Sequence, residues 1–303
     1  MRVRSSRVLL LVAIAAIAFG MTGCRGTANA PAGSKSPSQP YPVRGVVVGT
    51  DPANGEVILK HDSIPGLMPA MTMPYHLEDT SALSELHPGD LITATLLADH
   101  DVAGPVNLRI KDIVVIAQAR PDYKPAVNYH VPAKGDEVPN FKLLNQSNRT
   151  IDLKQFRGKV VVMTFIYTRC PLADFCPRMS RNFAEIDKTL QSDPELYKNT
   201  HLLSVSFDPT YDTPEVLRSY GAAYTGNFTN ETFQHWEFAA PSVADLSPME
   251  QFFDLGVTPG ENGTLQHSLS TVVIGKDGKI VAFYPTNDWT PTQVLVDIRS
   301  AAS

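Results

Sequence analysis

Cysteine is scarce in this 303-residue chain, which carries only Cys24, Cys170 and Cys176. A core of one large or two smaller bodies must therefore come from apolar residues, which supply 43% of the sequence. No apolar run reaches the roughly 20 residues that a membrane-spanning helix needs. The run from Val8 to Phe19 falls short of that length. Basic residues are scattered and outnumbered, 26 Lys and Arg against 31 Asp and Glu, which argues against a nucleic-acid surface. No internal repeat is visible, and no helical period is sustained across residues 42–118.

What is present begins with a leader. Arg2, Arg4 and Arg7 precede the apolar run, and Met21-Thr22-Gly23-Cys24 follows it. This resembles a bacterial lipoprotein signal, with Met21 where leucine is usual. The resemblance implies removal of residues 1–23, a lipid on the Cys24 sulfur, and anchorage at the periplasmic face of a bacterial membrane. An ordinary secretory signal with a chance cysteine is the alternative. Losing the three leader arginines takes the net charge from −5 to −8. Residues 24–41, small and rich in Pro, Ser, Gly and Ala, read as a flexible tether.

Two domains are expected after it. Over 42–118, strand-like stretches at Val43–Val48, Glu56–Lys60, Met71–His76, Leu91–Leu97 and Asn107–Ile116 are punctuated by Asn54-Gly55 and Pro88-Gly89-Asp90. This predicts a small all-β, OB-like barrel or sandwich. Residues 119–134 read as a Pro-rich linker. From there to 303 the pattern becomes α/β. Val160–Tyr167 and Leu202–Phe207 are unbroken apolar runs suited to buried parallel strands. Helices are expected over 178–190, after Thr213-Pro214-Glu215 and over 291–302, with a hairpin at Asp277-Gly278. The expected architecture is an α/β thioredoxin-like layer fold.

With Cys24 assigned to lipid, Cys170 and Cys176 remain as one close pair in an oxidising compartment. Such a pair suggests a disulfide, a soft-metal site, or both in alternation. A loop this short gains little stability from a covalent staple. The pair lies where a buried strand gives way to a helix, a place that favours the thiolate, which is both nucleophile and ligand. Two thiolates suit Cu(I) or Zn. His267, just before the strand 270–274, is the candidate third ligand, with an ordinary loop histidine as the alternative. Asp174 reads as a solvated loop acid.

Residues 135–303 resemble the Sco/SenC family of thioredoxin-fold proteins implicated in copper delivery to the CuA site of cytochrome oxidase. The resemblance rests on the strand and cysteine motif, on Ser206-Phe207-Asp208-Pro209-Thr210-Tyr211-Asp212-Thr213-Pro214, and on Gln266-His267-Ser268. It implies copper held by Cys170, Cys176 and His267, with Asp208 as a supporting acid behind them or merely a turn residue. The family spaces its cysteines C-x3-C, whereas five residues separate them here. The thioredoxin C-x-x-C spacing and the peroxiredoxin nucleophile motif are both absent.

A second soft-metal cluster lies upstream. Three of the eight methionines, Met68, Met71 and Met73, fall within six residues, shortly after His61. Met71 and Met73 share one strand face, and thioether with imidazole selects Cu(I) or Ag(I). Core filling is the alternative for such methionines. Residues 43–116 resemble the periplasmic CusF-type copper-binding domain, through Gly45-Val46-Val47, Lys60-His61-Asp62, Met71-Thr72-Met73 and Leu86-His87-Pro88-Gly89-Asp90. By that resemblance His61, Met71 and Met73 are copper ligands. Met68, near the place of a family tryptophan, would add a sulfur or shield the site. His76, His87, His100, His130, His201 and His235 read as surface or turn residues, and Trp236 and Trp289 as packing.

The leading expectation is a copper metallochaperone that serves an oxidase subunit or another cuproprotein acceptor. A thiol–disulfide oxidoreductase using Cys170 and Cys176 is the enzyme-class rival. A copper buffer for tolerance is a third reading.

Overall fold

The computed structural model describes residues 38–303, apart from 53, 102–103, 121–122, 124–129 and 261–262. The leader, Cys24 and most of the tether lie outside the described residues, as does much of the expected linker.

Strands β1 (Gln39–Asp51), β2 (Glu56–His61), β3 (Met71–Leu77), β4 (Leu91–Asp101) and β5 (Gly104–Ala117) close into a barrel in the order β1-β2-β3-β5-β4. Only the β3–β5 pairing is parallel. Closure removes the edges on which another chain could pair. Along β1 the period of two is plain, with Val43, Gly45 and Val47 buried and Arg44 exposed. Glycine at 45 answers a close approach: a Cβ there would stand 2.6 Å from the Lys60 carbonyl oxygen. β1 begins at Gln39 because β4 pairs with it from Gln39 onward, despite Pro40 and Pro42.

The rest of the chain builds a thioredoxin-like α/β domain. Its seven-stranded sheet contains β6 (Lys142–Asn145), β7 (Thr150–Asp152), β8 (Val160–Ile166), β9 (Thr200–Ser206), β10 (Trp236–Pro241), β13 (Thr271–Ile274) and β14 (Ile280–Tyr284). The order is β14-β13-β8-β9-β10-β6-β7, with β8, β9 and β10 parallel. Every residue of β8 and β9 is buried, as strands covered on both faces require. Helix α1 (Cys176–Leu190) presents Met179, Phe183, Ile186 and Leu190 to the sheet at helical spacing. Helix α2 (Pro194–Lys198) is a single short turn that sequence periodicity misses. Helix α3 (Pro214–Thr225) starts at the Thr213 cap and ends at Gly226 with φ 73°. Helix α4 (Val243–Phe252) follows β10, and α5 (Pro291–Ala302) opens on a Thr290–Gln293 capping box. A separate hairpin of β11 (Val257–Pro259) and β12 (Leu265–His267) completes the domain.

Two histidines depart from expectation. His201 and His235 are buried rather than superficial. His201 stacks on Phe156 at 4.2 Å between ring centres and lies 3.1 Å from Glu237. His235 stacks on Tyr197 at 3.6 Å and bonds Asp187 at 2.6 Å. Each was paired by an acid distant in sequence, which no local pattern reveals. Trp236 and Trp289 are core residues, each 2% exposed.

Barrel and α/β domain meet along a tight seam. Gly256 approaches Thr72 so closely that a Cβ would stand 3.1 Å from the Thr72 carbonyl oxygen. Asn287 donates to the carbonyls of Pro105 (2.8 Å) and Asp174 (3.1 Å), and so ties the barrel to the cysteine loop. Asp174 is therefore a buried seam residue packed at Gly104, not a solvated loop acid. Glu56 is also buried at the seam, 3.2 Å from His76. Burial, then Asp51 and Asp288, push its carboxyl up to about 8, and burial raises Asp254 as well. A carboxyl with a raised folded-state pKa contributes fully below its unfolded value of 4.5 and loses that contribution as pH rises through about 8. At about 1.4 kcal/mol per pKa unit the loss is a few kcal/mol. Glu56→Gln is expected to flatten this decline in thermal denaturation midpoints. Parallel slopes in the two proteins would refute it.

Candidate metal centre

The thioredoxin-like site forms at the carboxyl end of β8, where strand-end loops converge. Cys170 lies in the loop after β8, Cys176 is the first residue of α1, and His267 ends β12. The structure brings the three together: His267 Nε2 stands 3.7 Å from Cys170 Sγ and 3.6 Å from Cys176 Sγ. All three donor atoms lie within 4.8 Å of one another, and both thiols are free. Donors about 2.0–2.3 Å from one ion in a trigonal plane stand about 3.8 Å apart, so the spacing fits a single soft cation. The five intervening residues do not separate the sulfurs. They fold into a turn, with the Phe175 amide donating to the Leu172 carbonyl, and tuck the Phe175 ring edge-on to His267.

His267 Nδ1 lies 2.7 Å from the Ser268 carbonyl oxygen. A carbonyl only accepts, so the ring proton is on Nδ1 and Nε2 presents its lone pair to the sulfurs. Ser268 is fixed in turn, since its amide and hydroxyl bond the Gly256 backbone. Tyr167, Phe175 and Phe207 surround the imidazole, which is 1% exposed. Tyr167 donates to the Leu265 carbonyl, and burial pushes its phenol up to about 12.

The two thiols divide their proton. The hydrogen bond from Cys176 holds Cys170 well below the usual thiol range. Burial and then Cys170 push Cys176 well above it. Helix position alone pointed to a thiolate near the start of α1. Complete burial of Cys176 outweighs the helix dipole, so the thiolate belongs to the half-buried Cys170.

The loop carrying Cys170 is held by Asp212, which accepts from the Thr168 amide and hydroxyl and from the Ser206 hydroxyl. Sequence reasoning selected Asp208 and missed Asp212, although both belong to one motif. Asp208 instead pairs with Arg169 at 2.6 Å, and that guanidinium lies over the Tyr211 ring. Asp208 thus acts one residue away from Cys170.

In the barrel, His61 ends β2 opposite Met71, the first residue of β3, while Met73 pairs with Leu59. The register puts His61, Met71, Met73 and Tyr75 on one buried face. His61 Nδ1 lies 2.7 Å from the Asp62 carbonyl, so its proton is likewise on Nδ1. Its Nε2 is buried and has no hydrogen-bond partner, and burial lowers the imidazole pKa. An unpartnered ring nitrogen on the same buried face as two thioethers suits a soft cation. Met68 is buried too, and its sulfur accepts from the Tyr75 hydroxyl at 3.6 Å.

Residues 131–303 match the family model described as SCO1/SenC, and residues 40–106 match that of copper binding periplasmic protein CusF. A SCO1 protein homolog of Bacillus subtilis (strain 168) is 26% identical over 171 residues, covering 55% of this chain and 83% of the relative. Among solved structures, a SCO1/SenC family lipoprotein from Bacillus anthracis str. Ames aligns at 26% identity and a TM-score of 0.48, covering 58% of this chain and 99% of that one. ScoI of Bradyrhizobium japonicum with copper bound aligns at 22% identity and a TM-score of 0.45, covering 56% and 99%. Among the described residues no helix is long and apolar enough to cross a membrane.

Proposed function

The chain belongs to the SCO1/SenC family, and from that premise we propose that it is an exported copper metallochaperone, lipid-anchored through Cys24, that passes Cu(I) to a cuproprotein such as a respiratory oxidase subunit. Copper is cargo here. One observation carries the reading: the Nε2 of His267 faces both sulfurs at 3.6 and 3.7 Å. Two thiolates and an imidazole make a soft site that holds Cu(I) without water. Cys170 is the only half-buried donor of the three, so it is the edge by which an acceptor would draw the ion away. The barrel supplies a second site of His61, Met71 and Met73, with Met68 as its cover.

Anaerobic Cu(I) titration tests both sites. The intact chain is expected to bind two equivalents, and the Met71→Leu/Met73→Leu variant one. A count of two in that variant would remove the barrel site. The anchor has its own test. Cys24→Ala is expected to move the chain from the membrane fraction to the soluble periplasmic fraction, and retention at the membrane would refute lipidation there.

A second reading, thiol–disulfide exchange, is favoured by the depressed thiol of Cys170 beside a resolving Cys176. It needs both sulfurs and no imidazole.

A further inference from the structure

The barrel does not turn its candidate ligands to bulk solvent. A cleft of about 280 Å³ lies between the two domains. Ser63, Pro69 and Ala70 wall it on the barrel side, and Pro171, Leu172 and Gln266 on the other. Pro69 and Ala70 sit between Met68 and Met71, Pro171 follows Cys170, and Gln266 precedes His267. Each wall is therefore formed by residues adjacent in sequence to one ligand set. The backbone also links the sets directly. Thr72, between Met71 and Met73, packs on Gly256, whose amide bonds Ser268, whose carbonyl in turn orients His267. The Asn287 clamp fixes the cysteine loop against the barrel from another side.

We propose that the two sites exchange Cu(I) within one molecule through this cleft, the barrel acting as the entry site that fills the Cys170–Cys176–His267 site. The proposal rests on the copper reading of both sites. Transfer is ligand exchange without oxidation. Bonds from Cu(I) to His61 Nε2 and to the Met71 and Met73 sulfurs break as bonds to Cys170 Sγ, Cys176 Sγ and His267 Nε2 form. Copper stays Cu(I), and the thiol proton displaced from the cysteine pair passes to solvent. The direction follows from ligand charge, since anionic thiolates hold Cu(I) more firmly than neutral thioethers. Docking fixes the effective concentration of donor at acceptor, so the step is independent of protein concentration.

The test mixes the reduced full chain anaerobically with the Cu(I) complex of bicinchoninate and follows thiolate-to-copper charge-transfer absorption in a stopped-flow instrument. Three proteins are compared: the unaltered chain, Ala70→Trp, which places a bulky ring at the cleft wall and replaces no ligand, and Met71→Leu/Met73→Leu. Filling of the cysteine site is expected to slow at least tenfold in both variants, while its equilibrium affinity for Cu(I) stays unchanged. Equal filling rates in all three, with two equivalents bound by the unaltered chain, would overturn the relay and leave the two-site reading standing. Two equivalents bound by Met71→Leu/Met73→Leu would overturn both. Should Ala70→Trp fail to fold, the methionine variant alone decides the relay.

Discussion

Replacing His267 with alanine will lower the Cu(I) affinity of the thioredoxin-like site at least about a hundredfold, while Cys170 and Cys176 still exchange with a small disulfide. The magnitude follows from comparison. Loss of a group that merely orients a ligand already costs about 10–100-fold in metal affinity, and His267 offers the donor atom itself, 3.6 and 3.7 Å from the two sulfurs. The two readings separate here. A copper carrier needs the imidazole, whereas thiol–disulfide exchange needs only the sulfurs. Competition against a Cu(I) chelator measures the first quantity and reaction with oxidised glutathione the second. Unchanged affinity with intact exchange would discard the copper assignment for this domain. His267→Gln, which keeps some bulk inside the cage of Tyr167, Phe175 and Phe207, controls for collapse of that cage.

Much of this site could be read from sequence because its parts carry strong local chemistry. A strand that is buried along its whole length must be apolar throughout, so Val160–Ile166 announces itself. Cysteines at its end and a proline in the first helical turn mark the strand-to-helix junction. The barrel strands were legible as alternating segments, and their pairing extended them: β1 starts at Gln39 because β4 pairs with it there, and β4 runs on to Asp101 because β5 pairs with its end. What remained hidden depends on contacts between distant residues. The β11–β12 hairpin has three residues per strand, too few to show a period. The burial of His201, His235 and Asp174 follows from partners that the fold brings in from elsewhere. The domain seam, and with it the cleft between the ligand sets, has no signature in composition.

The acids of the 208–212 segment show how far such a signal reaches. Asp212→Ala is expected to destabilise the protein by about 2–4 kcal/mol, since it strands the Thr168 amide, the Thr168 hydroxyl and the Ser206 hydroxyl, and an unsatisfied buried group costs about 1–3 kcal/mol. Asp212 is 2% exposed, so water does not replace the lost acceptor. The same change frees the loop that presents Cys170, so Cu(I) affinity should fall about tenfold even in molecules that remain folded. Asp208→Ala should cost under about 1 kcal/mol, because its partner Arg169 is 37% exposed and such pairs contribute little. Urea denaturation of the two variants, followed by Cu(I) competition well below each midpoint, measures both effects. If Asp208→Ala matched Asp212→Ala in stability and affinity, the loop would be held by the Arg169 pair instead, and the carboxylate buried behind Thr168 would have no part in positioning Cys170.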